Sequence, residues 1–278
     1  SVPYSMISCR MAYLKANYPL EFYASILEAQ YGNNDIKFNK YLSEIRQSKI
    51  KISVPNINES TLNFEIYDNT LLMPLTNIGG LPSKLSLQII NERNAHGKFT
   101  SFINFVQRMY TTNDKITELQ LSKLIDAGCF DSLNNNRKSL KSSILDALKF
   151  SSASIYQEGK LIDNTYGLSY QDKDVPEDYK TRLENEYNVL GSMISDSPFN
   201  HLDKSKLNDA TNFENLVANN SYWVFGIIKN IKTITIKNGT HKGEPMAFID
   251  IYNEFDEELS LTLFSDIYAK YQNVVDAD

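Results

Sequence analysis

The dominant pattern of the apolar residues turns from helical to strand-like after about residue 219, and that shift constrains the architecture more than any other feature. Before that point most apolar segments repeat every three or four positions, as on one face of a helix. After Asn219-Asn220 the spacing becomes that of strands. Tyr222 to Ile236 alternates with β-branched residues, Asn238-Gly239 offers a turn, Pro245 to Tyr252 is apolar, and Glu258 to Phe264 alternates again. A short helical stretch with Ile267, Tyr268 and Tyr271 follows. The expected class is α+β: a mostly α-helical first part, then a small OB-fold-like β-barrel with only its first strands present.

Within the helical part, Tyr13, Leu14, Phe22, Tyr23, Ile26 and Leu27 give an apolar face, broken at Tyr18-Pro19 because proline disfavours helical geometry in the residue before it. A helix around 36–48 presents Phe38, Tyr41, Leu42 and Ile45, and a short hairpin over 62–72 turns at Asp68-Asn69. Further helices are expected at 101–109, 114–126 and 137–151 and around 179–193. Between Ser151 and about Asp178 the chain is polar and aperiodic, which reads as a linker or a loosely packed crossing segment. No internal repeat or low-complexity tract interrupts this order.

Composition narrows the function classes. A hydrophobic fraction of 42% suits a packed core, and no apolar run is long enough to cross a bilayer. Cys9 and Cys129 are too few and too far apart for a disulfide framework or a zinc site; buried thiols in a reducing, cytoplasmic setting are the simpler reading. The opening Ser1-Val2-Pro3-Tyr4 has neither an initiator Met nor a signal pattern, which reads as a piece of a longer chain. The net charge of -6 is unfavourable for a polyphosphate partner, so any such contact has to come from local lysines and backbone amides.

Three segments could carry chemistry. Asn77-Ile78-Gly79-Gly80, between a short helix and one carrying Leu85, Ile89 and Ile90, has the form of a helix-hairpin-helix turn. Glycines there let a phosphate approach the backbone, and the head of the second helix presents amide donors. Thr76, Asn77, Ile78, Gly79, Gly80 and Lys84 are the candidate duplex contacts. A glycine cap followed by a proline-started helix is the plainer reading of the same residues. In the strand region Lys229, Lys232, Lys237 and Lys242 gather on the first hairpin near Tyr222, Trp223, Phe225 and Phe248. Basic rims with aromatics suit single-stranded nucleic acid; the alternative is aromatics filling the barrel beside a solvated lysine edge. Asp172, Asp174, Glu177 and Asp178 resemble paired carboxylates for metal chemistry, yet no strand precedes them to fix their geometry, and a solvated cluster is expected. His96, His201 and His241 have no nucleophile partner at a recognisable spacing, and no Walker loop is present, so no catalytic residue and no metal ligand is assigned.

Several segments, in order, resemble the α subunit of bacterial DNA polymerase III. They are Ser1-Val2-Pro3-Tyr4-Ser5 with the stretch from Ala12 to Phe22, then Asn77-Ile78-Gly79, Gly97 to Phe102, and Leu124 to Leu133. Glu184 to Gly191 with Ser195-Asp196-Ser197-Pro198, and Gly243 to Phe248, complete the series. The resemblance implies the end of a fingers-like region over 1–60, a helix-hairpin-helix duplex-binding region over 61–150, a linker and helix over 151–210, and an OB domain over 211–278. It implies that the metal-binding palm carboxylates lie upstream, so this piece carries no cofactor, while Mg²⁺ serves the full polymerase. The implied partners are primer-template duplex, single-stranded template, and the sliding clamp with other replisome subunits. For the clamp, Gln157 with Leu161 and Ile162 is a degenerate candidate, and an ordinary linker is the simpler reading. Where the family often has lysine before the hairpin Asn, this chain has Thr76. A module binding clamp or other subunits instead of DNA is the alternative.

Overall fold

The computed structural model describes residues 2–32, 35–110, 115–157, 160–164, 167–203, 205, 209–254 and 257–275, with backbone alone at 35, 36, 154–157 and 160–164. It divides into two compact units, Ser1–Pro198 and Phe199–Asp278. The expected class holds: the first unit is mostly helical and the second is a small open sheet with one helix. Among the described residues no helix is long and apolar enough to cross a membrane.

The first unit opens with α1 (Val2–Asn17), α2 (Pro19–Gln30) and α3 (Asp35–Gln47). Pro19 sits in the first turn of α2, where its missing N–H has no intrahelical partner to lose. Tyr23 and Leu27 bury the inner face of α2, and Phe38, Leu42 and Ile45 that of α3. In α1 the expected face is not buried: Tyr13 is 59% and Leu14 42% exposed, and Cys9 is an exposed thiol. Burial holds for Cys129 alone, where desolvation raises the thiol pKa beyond any physiological range.

Strands β1 (Lys51–Ser53), β2 (Glu65–Tyr67) and β3 (Thr70–Leu72) form a small sheet in the order β1-β3-β2. The β2–β3 turn falls on Asp68 and Asn69, both with positive φ (47° and 56°), the geometry of a tight primed hairpin. β1 adds in parallel on the other edge of β3. Next come α4 (Ser83–His96), α5 (Phe102–Tyr110), α6 (Glu118–Asp126) and α7 (Arg137–Ser152). The spacing of Phe102, Phe105, Val106 and Met109 points one face of α5 inward, where Phe105 meets Phe99 and Phe130 edge-to-face at 4.9 and 5.0 Å. Helix α6 begins with a reciprocal capping box between Thr117 and Gln120.

The 151–178 stretch is more ordered than a linker or a loosely packed crossing segment. Residues Ser154–Gln157 (β4) and Lys160–Asn164 (β5) pair as an antiparallel hairpin. Beyond it the polar stretch is fastened to α7: the Lys173 amide donates to Ser143 Oγ (2.8 Å), the Val175 amide to Ser139 Oγ (2.9 Å), and Asn136 Nδ2 to the Val175 carbonyl (2.9 Å). Its lack of apolar period reflects attachment by hydrogen bonds rather than looseness. Helix α8 (Tyr179–Leu190) then starts on the Asp178 carboxylate, which accepts from the Thr181 amide, and ends at left-handed Gly191.

The second unit is an antiparallel meander of β6 (Ile227–Thr235), β7 (Pro245–Tyr252) and β8 (Glu258–Leu263), followed by α9 (Ser265–Val275). Ala247, Ile249 and Ile251 point to one face and form a small core with Tyr268 and Val275 of α9. Among the described residues the sheet has three strands and does not close into a barrel.

Candidate nucleic-acid interface

A 3₁₀ turn, Leu75–Asn77, leads through Ile78-Gly79-Gly80-Leu81-Pro82 into α4. Leu75, Ile78, Leu81 and Leu85 are buried and pin the turn to the core. Gly80 has φ +70°, a conformation that side chains resist, and Pro82 at φ -63° precedes the helix. The six candidate duplex residues separate into two groups. Thr76 Oγ1 donates to the Leu62 carbonyl at 2.7 Å, Asn77 is buried with its carbonyl accepting from Tyr31 Oη at 2.5 Å, and Ile78 is core. These three build the turn from inside. Gly79, Gly80 and Lys84 are exposed.

The two glycines do different work. The Gly79 amide donates to the Val189 carbonyl on α8 at 2.7 Å, and a Cβ at Gly79 would lie 3.1 Å from that same oxygen. Gly79 therefore permits a close approach between turn and helix, and its donor is not free for a ligand. The Gly80 amide has no partner among the described residues, nor has the amide of Ser83 at the head of α4. No side chain caps that helix. Exposed, unpaired amides at a helix start favour an anion.

A cation also lies at the turn that sequence reasoning did not single out. A Cβ on Gly80 would lie 2.0 Å from Lys123 Nζ, so the ammonium of this α6 residue rests against the bare glycine. The only signal in the sequence was its place on a helix far along the chain.

A second glycine turn, at Gly128 between α6 and α7, is closed from inside. Gly128 has φ +81°, and a Cβ there would come within 2.3 Å of Arg137 Nη2. That guanidinium is fully engaged: Asp131 takes Nε at 2.9 Å and Nη2 at 2.7 Å, while Nη1 donates to Glu186 Oε2 at 2.6 Å and to the Asp126 carbonyl at 2.9 Å. Burial opposes its charge, but Asp131 and Glu186 outweigh burial and raise its pKa.

In the second unit Lys229 pairs with Glu258, and Lys237 and Lys242 lie exposed in the β6–β7 connection. Lys232 on β6 stands opposite Phe248 on β7, on the face away from α9, and Phe248 is 36% exposed. The aromatics therefore do not all fill the interior. Phe225 packs edge-to-face on Phe199, whereas Trp223 is 80% exposed. The clamp candidates Gln157, Leu161 and Ile162 lie on β4 and β5, and their side chains fall outside the described residues.

The acidic residues serve as structural acceptors. Asp172 accepts from Tyr170 Oη (2.6 Å) and Asn134, Glu177 from the Lys138 amide (3.0 Å) and Arg182, and Asp178 caps α8. Asp174 is exposed. His96 pairs with Glu92 at 3.0 Å. Among the described residues, His241, Glu244 and Asp266 bring ligand-type atoms within 4.8 Å of one another, all exposed. The Glu244 hydrogen bond raises the His241 pKa.

Comparison with known proteins fits this geometry. A family model described as a helix-hairpin-helix motif matches residues 49–140. DNA polymerase III subunit alpha of Borreliella burgdorferi is 31% identical, over 97% of this chain and 24% of its own length. The same subunit from Chlamydia pneumoniae is 28% identical over 99% of this chain and 23% of its own, and that from Staphylococcus aureus 30% over 99% and 25%. Over nearly its whole length the chain is homologous to DNA polymerase III subunit alpha. It spans about a quarter of the length of these relatives and matches the C-terminal part of the polymerase subunit. The helix-hairpin-helix match includes both glycine turns and Lys123 between them.

Proposed function

We propose that this chain is a DNA-handling part of a replicative polymerase, gripping duplex behind the active site by its sugar-phosphate backbone. The observation that carries the reading is that the amides of two exposed residues, Gly80 in the turn and Ser83 at the head of α4, have no partner among the described residues. Donors of this kind recognise phosphate without reading bases, as suits a polymerase that accepts any sequence. In the whole subunit the reaction is template-directed deoxynucleotidyl transfer with Mg²⁺, its metal-binding carboxylates lying upstream of this segment. The second unit contributes single-strand contact through Lys232, Lys237 and Lys242, with Trp223 and Phe248 as exposed apolar surface for bases. The net charge of -6 keeps the affinity of this part low, so the full enzyme draws on other contacts, the clamp among them.

A second reading has one observation in its favour. Helix α1 buries none of its residues and leaves Tyr4 79% and Ile7 58% exposed, surface suited to a protein partner. Fluorescence anisotropy with single-stranded, duplex and primer-template DNA across a salt series separates the two. Duplex affinity falling steeply with salt supports backbone gripping, and absence of duplex binding at low salt rejects it.

A further inference from the structure

We propose that Lys123, on α6, is the cationic arm of the hairpin's phosphate site, supplying from a distant helix the charge that Thr76 does not supply within the turn. The proposal rests on the duplex-gripping reading above and assigns it a residue and a ligand: a backbone phosphodiester of duplex DNA.

Two glycine turns in this unit each hold a cation against a bare Cα, and the contrast between them carries the argument. At Gly128 the cation is Arg137, buried and saturated by Asp131 and Glu186. Its charge is neutralised internally and has nothing to offer a ligand. At Gly80 the cation is Lys123, partly exposed and without a carboxylate partner among the described residues. Other lysines of the same unit do have partners: Lys15 pairs with Glu44, Lys98 with Glu59, Lys141 with Asp126 and Lys173 with Asp146. Lys123 thus holds an uncompensated positive charge against the glycine whose own amide is unpaired. The bare Cα of Gly80 leaves room for this flexible tip against the turn, where a Cβ would lie 2.0 Å from the ammonium. A phosphate bound at the Gly80 amide would meet an ammonium already in place.

The test uses the 278-residue chain and a duplex oligonucleotide of arbitrary sequence, with the dissociation constant measured by anisotropy between 50 and 200 mM salt. Each phosphate neutralised by a lysine contributes about 0.9 to the slope of log affinity against log salt. Lys123→Gln should therefore flatten the slope by about one, so that its deficit against wild type shrinks roughly 3.5-fold over that range. Lys123→Arg should restore the slope, and Lys173→Gln, which removes an ion-paired lysine of equal charge, should leave it unchanged. Circular dichroism and the thermal midpoint check that each variant is folded. If wild type binds duplex and folded Lys123→Gln keeps the wild-type slope, the Lys123 assignment fails while duplex gripping stands. If Lys173→Gln flattens the slope equally, the effect is one of net charge and the assignment fails too. If wild type does not bind duplex at all, both readings fail together.

Discussion

Replacing Glu186 by glutamine should cost the first unit about 3–5 kcal/mol, because it breaks a buried pair and leaves one partner charged. Glu186 is fully buried and Arg137 is 3% exposed. One carboxylate oxygen accepts the amides of Ile194 and Ser195 at 2.5 and 2.8 Å; the other accepts the Ser195 hydroxyl at 2.5 Å and Arg137 Nη1 at 2.6 Å. All four groups facing the carboxylate thus act as donors. A glutamine has one acceptor oxygen for the two amides, and its NH₂ group then confronts the guanidinium and the hydroxyl. The amide cannot turn to satisfy both sides. Asp131 still pairs with Arg137, which keeps the estimate at the lower end of the range for an uncompensated buried charge. The effect reaches the candidate interface, since α8 also supplies the Val189 carbonyl that receives the Gly79 amide. Urea unfolding followed by far-ultraviolet circular dichroism measures the loss, because α1 to α8 all belong to the first unit. A loss below about 1 kcal/mol would refute the claim that this network locks α7 and α8 to the loop that follows, since a solvated pair costs no more than that to break.

Two further outcomes follow from the same structure. Thr117→Ala removes half of the reciprocal cap on α6 and should cost about 1 kcal/mol in the same urea experiment. Asp178 is held below its ordinary carboxylate pKa of 3.8 by hydrogen bonds from the Thr181 amide and hydroxyl. A depressed acid stabilises the fold above its unfolded pKa, and that contribution disappears as pH falls through the folded value. Stability should therefore decline less steeply below pH 3.8 in Asp178→Asn than in wild type, and identical pH curves would contradict the cap.

Local chemistry made much of the fold legible in the sequence. Asp68-Asn69 tolerates the left-handed geometry of a tight turn, Tyr18-Pro19 separates two helices, and the Phe102–Met109 spacing declares its inward face. Absent periodicity hid the β4–β5 hairpin and the anchoring of the stretch that follows it. The 170–178 stretch is polar because Ser139, Ser143 and Asn136 hold its backbone, and that pattern leaves no hydrophobic repeat to find. Homology, rather than periodicity, was visible through ordered motifs from Ala12 to Phe248. At the candidate site the turn itself was readable, but the roles of its glycines were not. That Gly79 donates to Val189, and that Lys123 rests on Gly80, depend on helices more than forty residues away in sequence, which only tertiary packing brings to the hairpin.

The amide donors at the head of α4 can be tested by deleting one of them. Ser83 is the first residue of the helix, where proline is well tolerated, and Pro82 before it has ψ 132°, the extended geometry a following proline requires. Ser83→Pro thus removes an exposed N–H with little disturbance to the fold, and Ser83→Ala removes the hydroxyl while keeping the N–H. Duplex affinity at low salt should fall roughly tenfold in Ser83→Pro, the scale of one hydrogen bond to a charged group, and stay close to wild type in Ser83→Ala. Equal affinity in all three folded proteins would contradict backbone-amide recognition of duplex at this turn.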